Sequence, residues 1–189
     1  MGLQVYFVAD THFGHSKIMI EGEQDTRPFD TIEEHDETII DNWNKTVRPS
    51  DIIWHLGDVA MWGAPALAPI ERLNGRKRLV LGNHDRLGFE TYLNAGFERV
   101  YGGVEAYGFW LSHIPIHPMS VQPRYQMNVH GHLHHQIVKL ERIDSSDFRE
   151  PHTIEMVPDP LFFCTSLEQI DYTPISLEQI REETSNGKD

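Results

Sequence analysis

Hydrophobic and polar positions along the first hundred residues switch between short continuous apolar runs and helical stripes. Leu3-Gln4-Val5-Tyr6-Phe7-Val8-Ala9 is a brief apolar run with β-branched and aromatic members, which predicts a buried strand. Gly14, Gly22, Pro28 and scattered charges predict a long loop over residues 13–30. Thr31 then caps a helix in which Ile32, Ile39, Ile40, Trp43 and Val47 recur near helical spacing. Glu33, Glu34, Asp36, Glu37 and Asp41 take the other face, and Pro49-Ser50 stops the helix. Residues 51–56 predict a second buried strand, 64–73 a second helix ended by Asn74-Gly75, and 78–81 a third strand. Strand, helix, strand, helix, strand is the rhythm of right-handed parallel crossovers.

Beyond about residue 98 the rhythm changes. Short runs at 98–101, 104–107, 109–112, 126–130, 136–141 and 153–157, separated by Gly, Pro and polar turns, predict a second, more antiparallel sheet. Ser166 and Ser176 each precede a glutamine by three residues, a capping-box spacing that predicts two short helix starts. Thr184 to Asp189 are expected to fray. No stretch has linker composition, so residues 1–189 read as one domain, with residues 151–189 as a C-terminal extension.

Charge removes some functions from consideration. Sixteen Lys+Arg against 29 Asp+Glu leave a formal charge of −13, a poor match to nucleic-acid backbones or anionic membranes. A hydrophobic fraction of 39% and the apolar runs above fit a globular chain. Cys164 stands alone, which excludes an internal disulfide and a cysteine zinc cage. No apolar run spans a bilayer, no signal peptide is read at the N-terminus, and Tyr6 argues against myristoylation of Gly2, so a cytoplasmic setting is expected. The twelve histidines exceed what a core needs and direct attention to chemistry.

Five polar clusters follow apolar strands: Asp10 with His12, Gly57-Asp58, Gly82-Asn83-His84-Asp85, Ser112-His113, and Gly131-His132-Leu133-His134. In open α/β sheets, ligands bind at the C-terminal edge of the strands. Each cluster alone reads equally well as an Asx-type turn, a common turn, a capping turn or a half-exposed strand pair. Together those readings require five coincidences, whereas a metal site requires one cause. Oxygen and imidazole ligands without thiolate suit manganese, iron, zinc, nickel or cobalt, with manganese placed first here. Two divalent ions roughly 3.5–4 Å apart need a bridging carboxylate, which Asp58 can supply. On a strand, His132 and His134 would put both rings on one side.

In this order the residues resemble the calcineurin-like metallophosphoesterase superfamily, whose pattern runs D-x-H, G-D, G-N-H-D/E, H and G-H-x-H. The match covers the motif-bearing core, residues 3–141. The Asp10-Thr11-His12-Phe13-Gly14-His15 opening and Arg27-Pro28-Phe29 are most similar to small bacterial and phage members. The resemblance implies an α/β fold of α+β character, a two-sheet β-sandwich flanked by helices. It implies one metal held by Asp10, His12, Asp58 and His134, and a second held by Asp58, Asn83, His113 and His132. It also implies that His84 faces the phosphate and protonates the leaving oxygen, oriented by Asp85. His15, Arg86 and His117 are candidate substrate contacts, His55 a core or supporting residue, and His35 a solvated one. His130, His135 and His152 receive no role.

The function expected is a dinuclear metal-dependent phosphoesterase that works by metal-activated hydroxide. The short segment from Asp85 to His113 holds nothing like an enclosing cap, which favours small phosphodiesters, cyclic nucleotides included. The alternatives are a phosphomonoesterase or a nuclease of the same family, or a non-catalytic metal-binding scaffold. The small basic clusters Arg76-Lys77-Arg78 and Arg142 to Arg149 argue against extended nucleic-acid binding. The sequence leaves the oligomeric state open.

Overall fold

A computed structural model describes residues 2–19, 27–144 and 153–186. In chain order they form β1 (Val5–Val8), α1 (Ile32–Thr46), β2 (Ile52–His55), β3 (Arg76–Val80), α2 (Phe89–Asn94) and β4 (Phe97–Tyr101). Next come β5 (Val104–Ala106), β6 (Phe109–Leu111), α3 (Pro118–Val121), β7 (Met127–His130), β8 (Lys139–Asp144) and β9 (Thr153–Pro158). β10 (Phe162–Cys164), β11 (Ile175–Ser176) and α4 (Leu177–Asn186) complete the order.

The first sheet runs β11-β1-β2-β3-β4, with β1 to β4 all parallel and β11 antiparallel on the β1 edge. The parallel rhythm therefore extends one unit past the three expected strands. The six-residue α2 makes that crossover, and it is too short to leave a clear helical stripe. The second sheet runs β10-β7-β6-β5. Only its β5–β6 pair is antiparallel, while β6–β7 and β7–β10 are parallel, so it is less antiparallel than expected. The reason lies in the connections. The loop with α3 returns the chain in the direction of β6, and the β8–β9 ribbon does the same between β7 and β10. β8 and β9 pair with each other and stand outside both sheets.

Both sheets feed one apolar core. Phe7, Ile53 and Leu79 come from the first, Phe109, Leu111 and Val129 from the second, and Trp43 from α1. The result is a mixed α/β fold of sheets flanked by helices. α1 begins as expected, with the Glu34 amide donating to Thr31 Oγ1 at 3.1 Å. The helix expected over 64–73 is instead a 3₁₀ segment, Ala64–Arg72. Pro69, inside the segment, has no N–H to donate and its ring crowds the preceding turn, so a regular α-helical ladder does not form.

The two C-terminal caps diverge. Ser176 and Gln179 form a reciprocal box, with Ser176 N donating to Gln179 Oε1 (2.9 Å) and Gln179 N to Ser176 Oγ (3.2 Å). Ser166 opens only a 3₁₀ turn, Leu167–Gln169, and its hydroxyl donates to Asp10 Oδ2 at 2.7 Å. A bridge between Ala9 and Ser166 makes that possible. Residues 153–186 thus supply a strand to each sheet. α4 continues through Thr184 to Asn186, where fraying was expected. The expectations for Gly22, Arg149, His152 and residues 187–189 lie outside the described residues. No described helix is long and apolar enough to cross a membrane.

Candidate metal centre

The parallel strands point their C-terminal ends at one place. Asp10 and His12 follow β1, Asp58 follows β2, Asn83 and His84 follow β3, His113 follows β6, and His132 and His134 follow β7. Two groups form there: Asp10, His12 and His134, and Asp58, His113 and His132. In each, the potential ligand atoms lie within 4.8 Å of one another. His132 and His134 sit beyond the end of β7, not on it, and divide between the two groups. The expectation that strand geometry pairs them on one side therefore fails.

Asp58 stands between the groups. Its Oδ1 accepts the His84 amide at 2.8 Å. Its Oδ2 lies 3.3 Å from His113 Nε2 and 3.8 Å from His12 Nε2. Burial works against the Asp58 charge, but the His113 and His84 hydrogen bonds outweigh it and hold the pKa low.

Backbone hydrogen bonds aim the histidines. The His113 Nδ1–H donates to the Leu56 carbonyl at 2.8 Å, which turns Nε2 toward Asp58 and toward Asn83 Oδ1 at 2.9 Å. In a neutral imidazole, Nε2 is then a lone pair facing two oxygen acceptors, and only a proton or a metal ion reconciles them. Burial opposes the His113 charge, yet Asp58 and Asp10 raise its pKa.

The other group is more clearly short of a partner. Asp10 Oδ1 and both ring nitrogens of His12 are buried without a hydrogen-bond partner. His12 Nε2 is 3.8 Å and His134 Nε2 3.9 Å from Asp10 Oδ1, too far for hydrogen bonds and suited to an atom held between them. Burial pushes the Asp10 carboxyl up and His12 well down, the penalty that a cation in the group would reverse.

The backbone is strained for this purpose. Asp10, His12, Asp58, His132 and His134 all have φ between 47° and 73°, in the left-handed region that side chains rarely adopt. Such outliers persist at sites where the surrounding structure over-determines them. Two motif glycines make room for the carboxylates. A Cβ on Gly131 would lie 2.7 Å from Asp10 Oδ2, and one on Gly82 would collide with Asp58 Oδ1. The donor set, the orphaned atoms and the spacing fit divalent ions.

Asp85 is placed differently from its expected role. Its carboxylate accepts the amides of Asp58 (2.7 Å), Val59 (3.1 Å) and Gly82 (2.8 Å), so it fixes the loops that carry Asp58 and Asn83. No hydrogen bond joins it to the His84 ring among the described residues. His84 is exposed, with Nε2 4.0 Å from Asp58 Oδ2 and its ring 5.6 Å from His12. His15 packs 5.5 Å from His12. Arg86 is exposed and donates from Nε to the Asn83 carbonyl at 3.2 Å. His117 caps α3, accepting the Met119 amide at 3.2 Å. His55 is buried against Thr11 Oγ1 at 2.8 Å, a core position as expected.

Three residues to which the sequence reading gives no supporting role, Glu168, Arg27 and His35, brace the site. Glu168 Oε1 accepts His134 Nδ1 at 2.8 Å and Arg27 Nε at 2.8 Å, all within the interior. Burial pushes the Glu168 carboxyl up, but His134 and Arg27 outweigh it and hold it at about 2. Arg27 also donates to the carbonyls of Asp10 and Thr11 and, from Nη1, to His35 Nε2 at 2.8 Å. His35 is therefore fully buried rather than solvated, with Nδ1 2.7 Å from Asp36 Oδ1. It lies on the inward stripe of α1 with Ile39 and Trp43. Carboxylates that hold the far nitrogen of a metal-binding histidine fix its tautomer and orientation.

Glu168→Gln, which keeps an oxygen for His134 and loses the charge, is expected to weaken binding of one Mn²⁺ by about 10–100-fold and to spare the other. Glu168→Ala should weaken it further. Calorimetric titration with Mn²⁺ reads both sites, and two wild-type affinities in both variants would remove Glu168 from any role in positioning His134.

Comparison with known proteins agrees with this geometry. The family model for calcineurin-like phosphoesterases matches residues 3–173, reaching Glu168. An uncharacterized protein of Methanocaldococcus jannaschii is 31% identical over 188 residues, covering 98% of this chain and 93% of its own. The gene 66 protein of Mycobacterium phage L5 is 38% identical over 84 residues, 42% of this chain and 39% of its own. A crystal structure of a protein of unknown function from Aquifex aeolicus superposes with a TM-score of 0.64 at 26% identity, covering 96% of this chain and all of that one. Strand-end motifs, orphaned ligand atoms and a match over most of its length lead to one conclusion: the chain belongs to the calcineurin-like phosphoesterase family.

Proposed function

We propose that this metal-dependent phosphoesterase is a phosphodiesterase for small diesters, cyclic nucleotides among them, with manganese as its ions. The observation that carries the reading is the openness of the His84 face. Asn83, His84 and Arg86 are exposed, and His132 is half-buried. The stretch between His84 and His113 is largely taken up by α2, β4, β5 and β6. An open face leaves room for the second organic arm of a diester. Among the described residues, Arg86 is the guanidinium that lines a cavity with His84, and a single such cation matches a monoanionic diester.

Asp10, His12, Asp58 and His134 would hold one ion, and Asp58, Asn83, His113 and His132 the other. Two divalent ions bound there would lower the pKa of water toward neutrality and draw the phosphoryl oxygens. Asp58 would be shared by the two ions, since its Oδ2 faces both His113 and His12. Asp85 holds the loops that carry Asp58 and Asn83. His84 donates a proton to the departing oxygen as the water oxygen bonds to phosphorus and the opposite P–O bond breaks. His15 and Arg86 flank the substrate, whereas His117, engaged at its cap, supports no such role. Retention of every expected ligand and of His84 speaks against a non-catalytic scaffold.

Hydrolysis of bis(p-nitrophenyl) phosphate and of p-nitrophenyl phosphate by the Mn²⁺-loaded protein tests the reading. The diester is expected to show the higher kcat/KM. A reversed preference would make the chain a phosphomonoesterase, and hydrolysis of neither would favour the scaffold.

A further inference from the structure

We propose that the cavity beside His84 is a subsite for a planar aromatic leaving group, an aryl or nucleobase-bearing one. The inference rests on the phosphodiesterase reading above. The cavity has a volume of about 390 Å³, in the range of small-molecule pockets. It is lined by Trp62 and Leu67 from the chain after β2, and by His84, Arg86, Leu87 and Tyr92 from the chain after β3.

Trp62 is the informative residue. It is 69% exposed, although a large aromatic side chain gains most from burial. Its φ of 69° lies in the left-handed region, a strained choice for a bulky residue, and Gly63 follows at φ 93°. Neither feature serves the core. The indole instead meets His15 edge-on, with ring centroids 6.4 Å apart, and His15 in turn packs on His12. A strained backbone thus presents an aromatic ring to solvent beside the candidate metal centre.

The rest of the lining selects the occupant. Leu67 and Tyr92 are buried and apolar toward the core, and the Tyr92 hydroxyl is engaged by the Leu87 amide at 3.3 Å. Arg86 adds one cation, suited to an anionic ester and to stacking on an aromatic face. His84 both lines this cavity and faces Asp58 Oδ2. The ester oxygen that His84 serves is therefore the one whose organic group enters the cavity. That group is the leaving group, and an aromatic one gains a stacking partner that an alkyl one lacks.

Equilibrium binding to the metal-free protein tests the subsite without catalysis. The probes are adenosine 5′-monophosphate and ribose 5-phosphate, followed by tryptophan fluorescence and calorimetry. The adenosine compound should bind roughly tenfold tighter or more, the usual worth of one stacked base, and should quench indole emission. Trp62→Ala should erase that margin, and Trp62→Phe should keep most of it. Equal binding of the two probes, or an unchanged margin in a Trp62→Ala protein of parental melting temperature, would overturn the proposal. Diester hydrolysis by the Mn²⁺-loaded parent is scored separately. Hydrolysis without a base-dependent margin removes the subsite alone, and a margin without hydrolysis removes the phosphodiesterase reading.

Discussion

Asp58→Ala is expected to yield a folded protein that retains neither metal ion. The side chain is 2% exposed and its two oxygens have separate duties. Oδ1 takes the His84 amide at 2.8 Å, and Oδ2 faces His12 at 3.8 Å and His113 at 3.3 Å. One substitution therefore removes the negative charge shared by both groups. What remains in the first is Asp10 with two histidines, and in the second His113 and His132 with no carboxylate. His113→Ala should act differently, because Asp58 stays, and should weaken mainly the group that holds His113. Elemental analysis after dialysis against Mn²⁺ reads the difference directly. Two ions per chain in Asp58→Ala would show that the groups do not share this carboxylate. Asp58→Asn keeps the shape and loses the charge. It should resemble alanine if charge governs retention, and the parent if packing does.

Much of this centre is legible along the chain, because each cluster follows its own strand and strand ends are local features. Asp10, His12 and Asp58 are brought together by the parallel pairing that the apolar runs announce, whereas His113, His132 and His134 follow a parallel β6–β7 pair in the sheet expected to be more antiparallel. The supporting residues are not legible for the opposite reason. Glu168 meets Arg27 across 141 positions, and Ser166 meets Asp10 across 156. Their sequence surroundings describe only a helix start. Ser166 carries the capping pattern of Ser176, and which hydroxyl caps depends on a bridge to Ala9 that no local pattern encodes. His35 shows the same limit in reverse. Its acidic neighbours suggest a wet helix face, but its spacing from Ile39 and Trp43 places it inward, where Arg27 receives it. In the 3₁₀ segment after β2 the apolar spacing suits a helix, but Pro69 interrupts the ladder that an α-helix would need.

His84→Ala is expected to keep both ions and lose about 10²–10⁴-fold in the rate of hydrolysis, the usual worth of a positioned proton donor. The retention of metal follows from the backbone. The bond that His84 makes to Asp58 Oδ1 comes from its amide, which alanine preserves. The ring is exposed and stands 4.0 Å from Asp58 Oδ2, so its removal opens no core cavity and should leave the melting temperature near the parent's. The loss should depend on the leaving group. A p-nitrophenolate leaves readily without a proton, whereas a nucleoside alkoxide needs one, so the aryl diester should suffer less than a nucleoside diester. A residue that merely shaped the loop would slow both substrates equally and would disturb metal content as Asn83 moved. Bound Mn²⁺, melting temperature and the two rates, all measured on one variant, separate these cases. Equal losses on both substrates together with lost metal would reject His84 as the acid and leave it a structural part of the Asn83 loop.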